Sequence, residues 1–362
     1  SRRRHTRFKC DWSSDVCSSD LRHGSRSNRM PQVAGVGFDG RLFARSAAGF
    51  SACQLRLFEM SELHMTGYSA LGERAAWIDL SARGKIRVSG EDRARLLHAM
   101  TTQQIQDLKP GQGAYAFFLN AQGRILADVN VLCFEDYVLL DTEPEQRTKI
   151  YEHLDRYIIA DDVALEDVTD SVATVDLEGP DAAAVLSALG APVPSDLYAH
   201  APWGNGTVQH LAGRFRLIGD VPPLIDVPEA DDEEARTVRM EHARARYGDD
   251  FSEKHLVQET ALLHAVHFRK GCYLGQEIVE RVKSRGQVHK LLRLVELDSP
   301  DAPPIGAKLT KGGEEAGEIV SSAYSPALQK TLVMAYMRTP MADTGTAVEL
   351  DGVSGQIGRA HV

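Results

Sequence analysis

Lys270-Gly271-Cys272-Tyr273-Leu274-Gly275-Gln276-Glu277 is the stretch on which the reading of this 362-residue chain turns. Two glycines give the backbone freedom for a tight or positive-φ turn. The residues that follow, Gln276 to Val282, have helical spacing, so the octet reads as a loop running into a helix. Cys272 then stands near a helix N-terminus and beside Arg269 and Lys270. Both surroundings favour the thiolate, the form that reacts and binds metal. The plain alternative is a small cysteine filling core space. Residue chemistry leaves both open.

Working outward, the punctuation is regular from Trp77 onward. Lys85 to Val88 alternates as a strand, and Ser89 with Glu91 and Asp92 opens a helix carrying Leu96, Leu97 and Met100 on one face. Tyr115 to Leu119 and Ile125 to Leu132 flank the turn Asn120-Ala121-Gln122-Gly123 and read as a hairpin. Ile150, Leu154 and Ile158 mark a helical face. Val172 to Leu177 is a strand, and Pro180 opens a short helix stopped by Gly190. The acidic run Glu229 to Glu234 predicts a helix reaching Arg246. Beyond Glu277 the pattern is wholly β, with turns at Pro303-Pro304 and Gly312-Gly313. The predicted class is α+β with antiparallel sheets and a compact β-barrel tail. No Walker loop or Rossmann glycine fingerprint is present.

Composition sets limits. Hydrophobic content of 43% and charged content of 25% suit a globular protein, and a net charge of −10 argues against a surface that clamps nucleic acid throughout. No stretch approaches the roughly 20 apolar residues of a membrane-spanning helix. The five cysteines form no C-x-x-C pair and their odd count suggests no disulfide framework, which points to a reducing cytoplasm; without such pairs the chain alone cannot supply four thiolates to a resident cluster. His264 and His267 lie close together without a carboxylate pattern around them, so no resident metal is expected. The basic strip Arg281, Lys283, Arg285, His289 and Lys290 lacks interleaved aromatics, so stable nucleic-acid binding is not expected either.

The two ends read as foreign. Residues 1–21, with the run DWSSDVCSSDL, and residues 356–362 resemble translated sequencing adapters. Residues 22–59 read as a non-native or unstructured leader, rich in Arg and Ser; taken as a transit segment they would instead place the protein in a mitochondrial matrix.

The octet is similar to the signature of the YgfZ family, whose mitochondrial relatives assist assembly of iron–sulfur proteins. Four further blocks resemble the family in order: Val88 to Arg93, Asn120 to Asp128, Arg156 to Val163, and Arg281 to Leu292. The resemblance implies the three-lobed fold of the glycine-cleavage T-protein, with a folate-binding α+β region over 60–285, split into two lobes near 165–175, and a β-barrel over 286–355. It implies tetrahydrofolate as cofactor, iron–sulfur client or assembly proteins as partners, and an indirect link to tRNA modification. Cys272 is then the reactive or transient-ligand thiol, with Lys270 lowering its pKa and Gly271, Tyr273, Gly275, Gln276 and Glu277 shaping its loop. The thiol is expected to open onto the cavity that takes the pterin.

Folate contacts are expected from Asp128, Asn120, Tyr115, Arg239 and Glu241. Asp128 either meets the pterin's amino edge or caps a local turn. Arg239 either forks onto a folate carboxylate or joins a helix salt network with Glu233, Glu234 or Glu241. Tyr115 and Phe117 either stack on the folate rings or pack the core. The T-protein's paired aspartates are reduced here to Ala127-Asp128, and its second-lobe Gly-Glu block is absent from Leu217 to Pro223. These departures favour an accessory protein that binds folate. The alternatives are a tetrahydrofolate-dependent aminomethyl transferase and a scaffold that has lost folate.

Overall fold

A computed structural model describes residues 66–286 and 288–358. The expected leader and the N-terminal adapter-like run lie outside the described residues, as do residues 359–362.

Thr66 caps the first helix, α1 (Gly67–Glu73), through its hydroxyl. Strands β1 (Ala76–Asp79) and β2 (Gly84–Ser89) follow, then α2 (Arg93–Met100), β3 (Gly113–Leu119), β4 (Ile125–Cys133), β5 (Tyr137–Thr142), α3 (Arg147–Tyr157) and β6 (Ala164–Asp167). The next run holds β7 (Ala173–Glu178), α4 (Ala182–Ala188), β8 (His200–Trp203), β9 (Gly206–Leu211), β10 (Arg214–Gly219) and α5 (Asp232–Glu241). The octet leads into α6 (Gln276–Arg285), and β11 (Lys290–Leu297), β12 (Lys308–Lys311), β13 (Glu314–Ser325), β14 (Lys330–Arg338), β15 (Ala347–Leu350) and β16 (Val353–Ile357) complete the chain.

Two five-stranded antiparallel sheets form, in the orders β3-β4-β5-β2-β6 and β1-β7-β10-β9-β8, and the last six strands close a barrel. The α+β class with a β-barrel tail is therefore the architecture. The handover between lobes has one exchange that periodicity could not reveal. β1 leaves its sequence neighbours and pairs with β7, Ala76 opposite Glu178. A four-residue strand carries no label for its partner, so only tertiary contacts place it.

The helix expected to reach Arg246 stops at Glu241. Its start is as read: Asp231 and Glu234 form a reciprocal capping box. Its end is set by Ala243 at φ 52° and by Arg239, which folds back onto the carbonyl of Arg244. Gln356 and Ile357, set aside above as foreign, lie in β16, where Ile357 faces Val295 across the barrel seam and is buried.

β14 explains how barrel and body adhere. Val333, Ala335 and Met337 point into the barrel core, while Leu332, Met334 and Tyr336 pack with Met240 of α5. A strand buried on both faces reads as a continuous apolar run. Each large side chain so buried contributes about 1.5–3 kcal/mol. No described helix is long and apolar enough to cross a membrane.

Candidate functional site

The octet and the β3–β4 hairpin are in contact. Gly275 takes φ 84°, and a Cβ there would lie 2.7 Å from the Asn120 carbonyl oxygen and 2.9 Å from Leu119 Cβ. A Cβ on Gly123 would lie 2.7 Å from Ile278. Two blocks far apart in sequence therefore meet through glycines that permit close approach. Gly271 does not use positive φ.

The side chains of the octet divide between buried and exposed positions. Lys270 is buried, and its ammonium donates to the carbonyls of His98, Thr101 and Gln103. It caps the C-terminal end of α2, where carbonyls lack helical partners. Burial pulls its pKa down to about 7, yet three acceptors engage all three ammonium protons. Its protons are committed to these backbone carbonyls. Cys272 itself is exposed, so it fills no core space. Tyr273 is buried with Phe117 and Phe251, Gln276 accepts from the Tyr273 amide at 3.4 Å, and exposed Glu277 pairs with Arg281 at 2.5 Å.

The chemistry-bearing cavity is elsewhere. It has a volume of about 580 Å³ and is walled by both sheets, α5 and the 243–249 segment. Cys272 is not among its lining residues. The expectation that the thiol opens onto the ligand cavity is thus corrected: the loop leads the sulfur outward while its tyrosine and glycine pack on the hairpin.

Asp128 and Tyr115 do line the cavity. The Tyr115 hydroxyl donates to Asp128 Oδ2 at 2.7 Å, and His264 stacks on the Tyr115 ring at 5.7 Å. Asp128 Oδ1 is buried without a hydrogen-bond partner. Burial, then the neighbouring Glu143 carboxylate, raises Asp128 to about 6. Burial and Asp128 together push the Tyr115 phenol well above its ordinary range. Phe117, by contrast, is a core residue set edge-on against Phe251.

Three further residues expected at the folate have other partners. Asn120 is a turn residue: its Oδ1 accepts from the amides of Gln122 and Arg124, both at 2.9 Å. Glu241 accepts from Tyr68 at 2.6 Å and Ser325 at 2.5 Å, joining α1 to the barrel, and is not a lining residue. Arg239 reaches the lining, but its guanidinium engages Asp249 at 3.1 Å and Asp250 at 2.5 Å instead of Glu233, Glu234 or Glu241.

What the sequence reading missed is the charge network of the walls. Arg216 makes a two-pronged pair with Asp176, 2.6 and 2.7 Å, and also reaches Asp141. Arg83 grips Asp141 at 2.8 and 3.1 Å, and Asn130 donates to the same carboxylate at 3.1 Å. Burial alone would raise Asp176 and Asp141; the guanidinium of Arg216, joined by Arg214 at the first and Arg83 at the second, holds both below the usual carboxylate range. Glu143 is held between Arg83 and Arg246, the latter at 2.9 Å. Arg236 and Arg244 also line the cavity, and the Nε of each is buried without a partner. A usable signal existed: Asp141 ends the apolar run Val138 to Leu140, and Arg216 sits between Phe215 and Leu217, charged residues where a buried strand has few. Among the described residues no group of three metal-ligating side chains forms.

Comparison with known families agrees with this architecture. Residues 45–214 match the GCVT N-terminal domain, and residues 290–362 match the glycine cleavage T-protein C-terminal barrel domain. The chain belongs to the aminomethyltransferase-like superfamily. The first match begins inside the expected leader, and the Cys272 octet falls between the two matched segments. Among relatives, an aminomethyltransferase of Rubrobacter xylanophilus is 28% identical over 75% of this chain and 78% of its own length. The chloroplastic transferase candidate At1g60990 of Arabidopsis thaliana is 26% identical over 77% of this chain and 69% of its own length. The glycine cleavage system aminomethyltransferase T of Bartonella henselae has a similar fold, with a TM-score of 0.73 over 81% of this chain and 87% of that one at 19% identity.

Proposed function

We propose that this chain binds a tetrahydrofolate in the central cavity and acts as a YgfZ-type accessory protein for iron–sulfur clients, with Cys272 working from the surface, apart from the folate. The observation that carries the folate reading is the buried, unpartnered Oδ1 of Asp128 on the wall of a cavity that also holds partnerless guanidinium nitrogens. A volume near 580 Å³ lies in the ordinary range for small-molecule sites.

The residues fit the group. A pterin offers amino and ring N–H donors, and the Asp128 carboxyl accepts them while Tyr115 fixes its other oxygen. Arg236 and Arg244, rather than Arg239, are placed to take the glutamyl carboxylate, since guanidinium geometry matches carboxylate oxygens in pairs. When bound, tetrahydrofolate supplies the nitrogen centres that carry one-carbon units. The chain's own part is to orient the ring system and to exchange a proton at Asp128.

The accessory role follows the octet's resemblance and the exposure of Cys272, a position from which a thiol can meet a partner protein. Client proteins of the iron–sulfur class, and through them tRNA modification, belong to this reading. Calorimetry with tetrahydrofolate tests the first part: saturable binding that weakens about tenfold in Asp128→Ala is expected, as a buried ligand group left without its partner costs about 1–3 kcal/mol. No saturable binding to the wild type leaves the scaffold reading in its place. Complementation of a strain lacking its YgfZ-type protein tests the second part, with Cys272→Ala expected to fail.

Aminomethyl transfer is the second reading. It is favoured by an Asp128 raised to about 6, suited to proton exchange near neutrality, and by the names of the relatives. Methylenetetrahydrofolate formation from an aminomethyl donor that survives Cys272→Ala would establish it.

A further inference from the structure

Two carboxylates, Asp128 and Glu143, stand on the same wall of the cavity. β4 and β5 pair antiparallel, with Asn130 facing Asp141. The ladder stops there; Asp128 stands two residues before Asn130 on β4, and Glu143 lies just past the end of β5. The backbone is tied there: Thr142 donates its hydroxyl to the Asp128 carbonyl at 2.6 Å, and the Asp128 amide donates to Gln146 Oε1 at 3.2 Å. Like charges held near one another in a buried wall repel. Both residues line the cavity.

The two carboxyls have unequal surroundings. Glu143 accepts from Arg83 and pairs with Arg246 at 2.9 Å, so cations flank it on two sides. Asp128 has only the neutral Tyr115 hydroxyl on Oδ2 and nothing on Oδ1. Of two neighbouring carboxyls, the one with the cations keeps its charge and the other takes the proton.

We propose that Glu143 is a positioning residue for Asp128: clamped by Arg83 and Arg246, it keeps its own charge and retains a proton on Asp128, so that Oδ1 can donate to the bound ligand as well as accept from it. The inference deepens the folate reading and rests on it only for the ligand's identity. The charged and titratable groups around Asp128 are Tyr115 from β3, Glu143 and Arg83 from the β5 and β2 sides, and Tyr247 from the segment beyond α5. Burial, then Glu143, raises Asp128 in this setting.

The test is a carboxyl titration of the ligand-free, full-length protein, followed by ¹³C chemical shift in aspartate-labelled samples, with Asp128→Asn identifying the resonance. Glu143→Gln is expected to lower the Asp128 midpoint by about one pH unit or more, since the repelling charge goes and two guanidinium groups are released toward Asp128. Glu143→Asp retains the charge and is expected to keep the midpoint raised. Should Glu143→Gln not fold, Arg246→Gln reads the same coupling in the opposite direction, with an upward shift. An unchanged midpoint in folded Glu143→Gln, or in folded Arg246→Gln, overturns the proposal. Tetrahydrofolate calorimetry on the same samples separates the two ideas: binding without a shift removes only the role of Glu143, and a shift without binding removes only the folate.

Discussion

Lys270 and Asp128 are two buried ionisable residues whose roles differ because their partners differ. Lys270 has three carbonyl acceptors for its three protons. Lys270→Met should leave those carbonyls without their donor and cost about 3 kcal/mol, read by chemical denaturation. A loss of function in that variant would therefore report folding, not thiol chemistry. Asp128 is the reverse case, a carboxyl with an unanswered oxygen. Its folded-state value near 6 lies above the unfolded value near 3.8, so the native state holds the proton more tightly. Stability from this group is fully present below about pH 4 and is lost as pH rises toward 6, an effect of roughly 3 kcal/mol. Asp128→Asn, which cannot ionise, should gain in melting temperature relative to wild type at pH 7.5 compared with pH 4. An equal difference at both pH values would count against the raised value. Asp128 was readable in the sequence as a candidate, whereas its unpaired oxygen was not, because that depends on which neighbours the other strands deliver.

At the scale of elements, the octet's two glycines are not equivalent. Gly275 sits at φ 84° against the backbone of Asn120, so Gly275→Ala meets both positive φ and a 2.7 Å contact. Gly271 has ordinary φ, and a Cβ there meets nothing nearer than His98 Nε2 at 3.6 Å. Gly275→Ala should cost about 2 kcal/mol or more, while Gly271→Ala should fall within about 0.5 kcal/mol of wild type, both measured by urea unfolding. The sequence marks both positions as flexible. Which of them spends that freedom is decided by the hairpin turn that packs against the loop. α5 carries the same lesson: its capping box was legible locally, and its early stop was not, because Arg239 turns back to partners that follow the helix.

For the whole molecule, the decisive contact is the one between lobes. Arg216 on β10 binds Asp176 within its own sheet and Asp141 on β5 of the other. The side chain is almost fully buried. Arg216→Met leaves two buried carboxylates short of their partner, a loss of about 3–5 kcal/mol expected from breaking a buried pair. The same network bears on acid. Asp141 and Asp176 are held below their unfolded values, so their contribution is present above about pH 4 and disappears as pH falls through their lower folded values. The wild type should accordingly keep its cooperative unfolding at pH 4, and Arg216→Met should unfold at a higher pH than wild type in an acid titration followed by circular dichroism.

The amino-acid sequence by itself determined the α+β class, the hairpin and the barrel tail, because those follow from apolar period and turn residues acting over a few positions. It also marked Asp128 and Tyr115. Tertiary structure alone decided that β1 joins the second sheet, that Lys270 caps a helix, that Cys272 is exposed outside the cavity lining, and that Asp141, Asp176, Arg83 and Arg216 meet in the walls. Local pattern fixes the face on which a side chain stands; the partner across that face arrives from a distant segment, and for a buried charge the partner decides everything else.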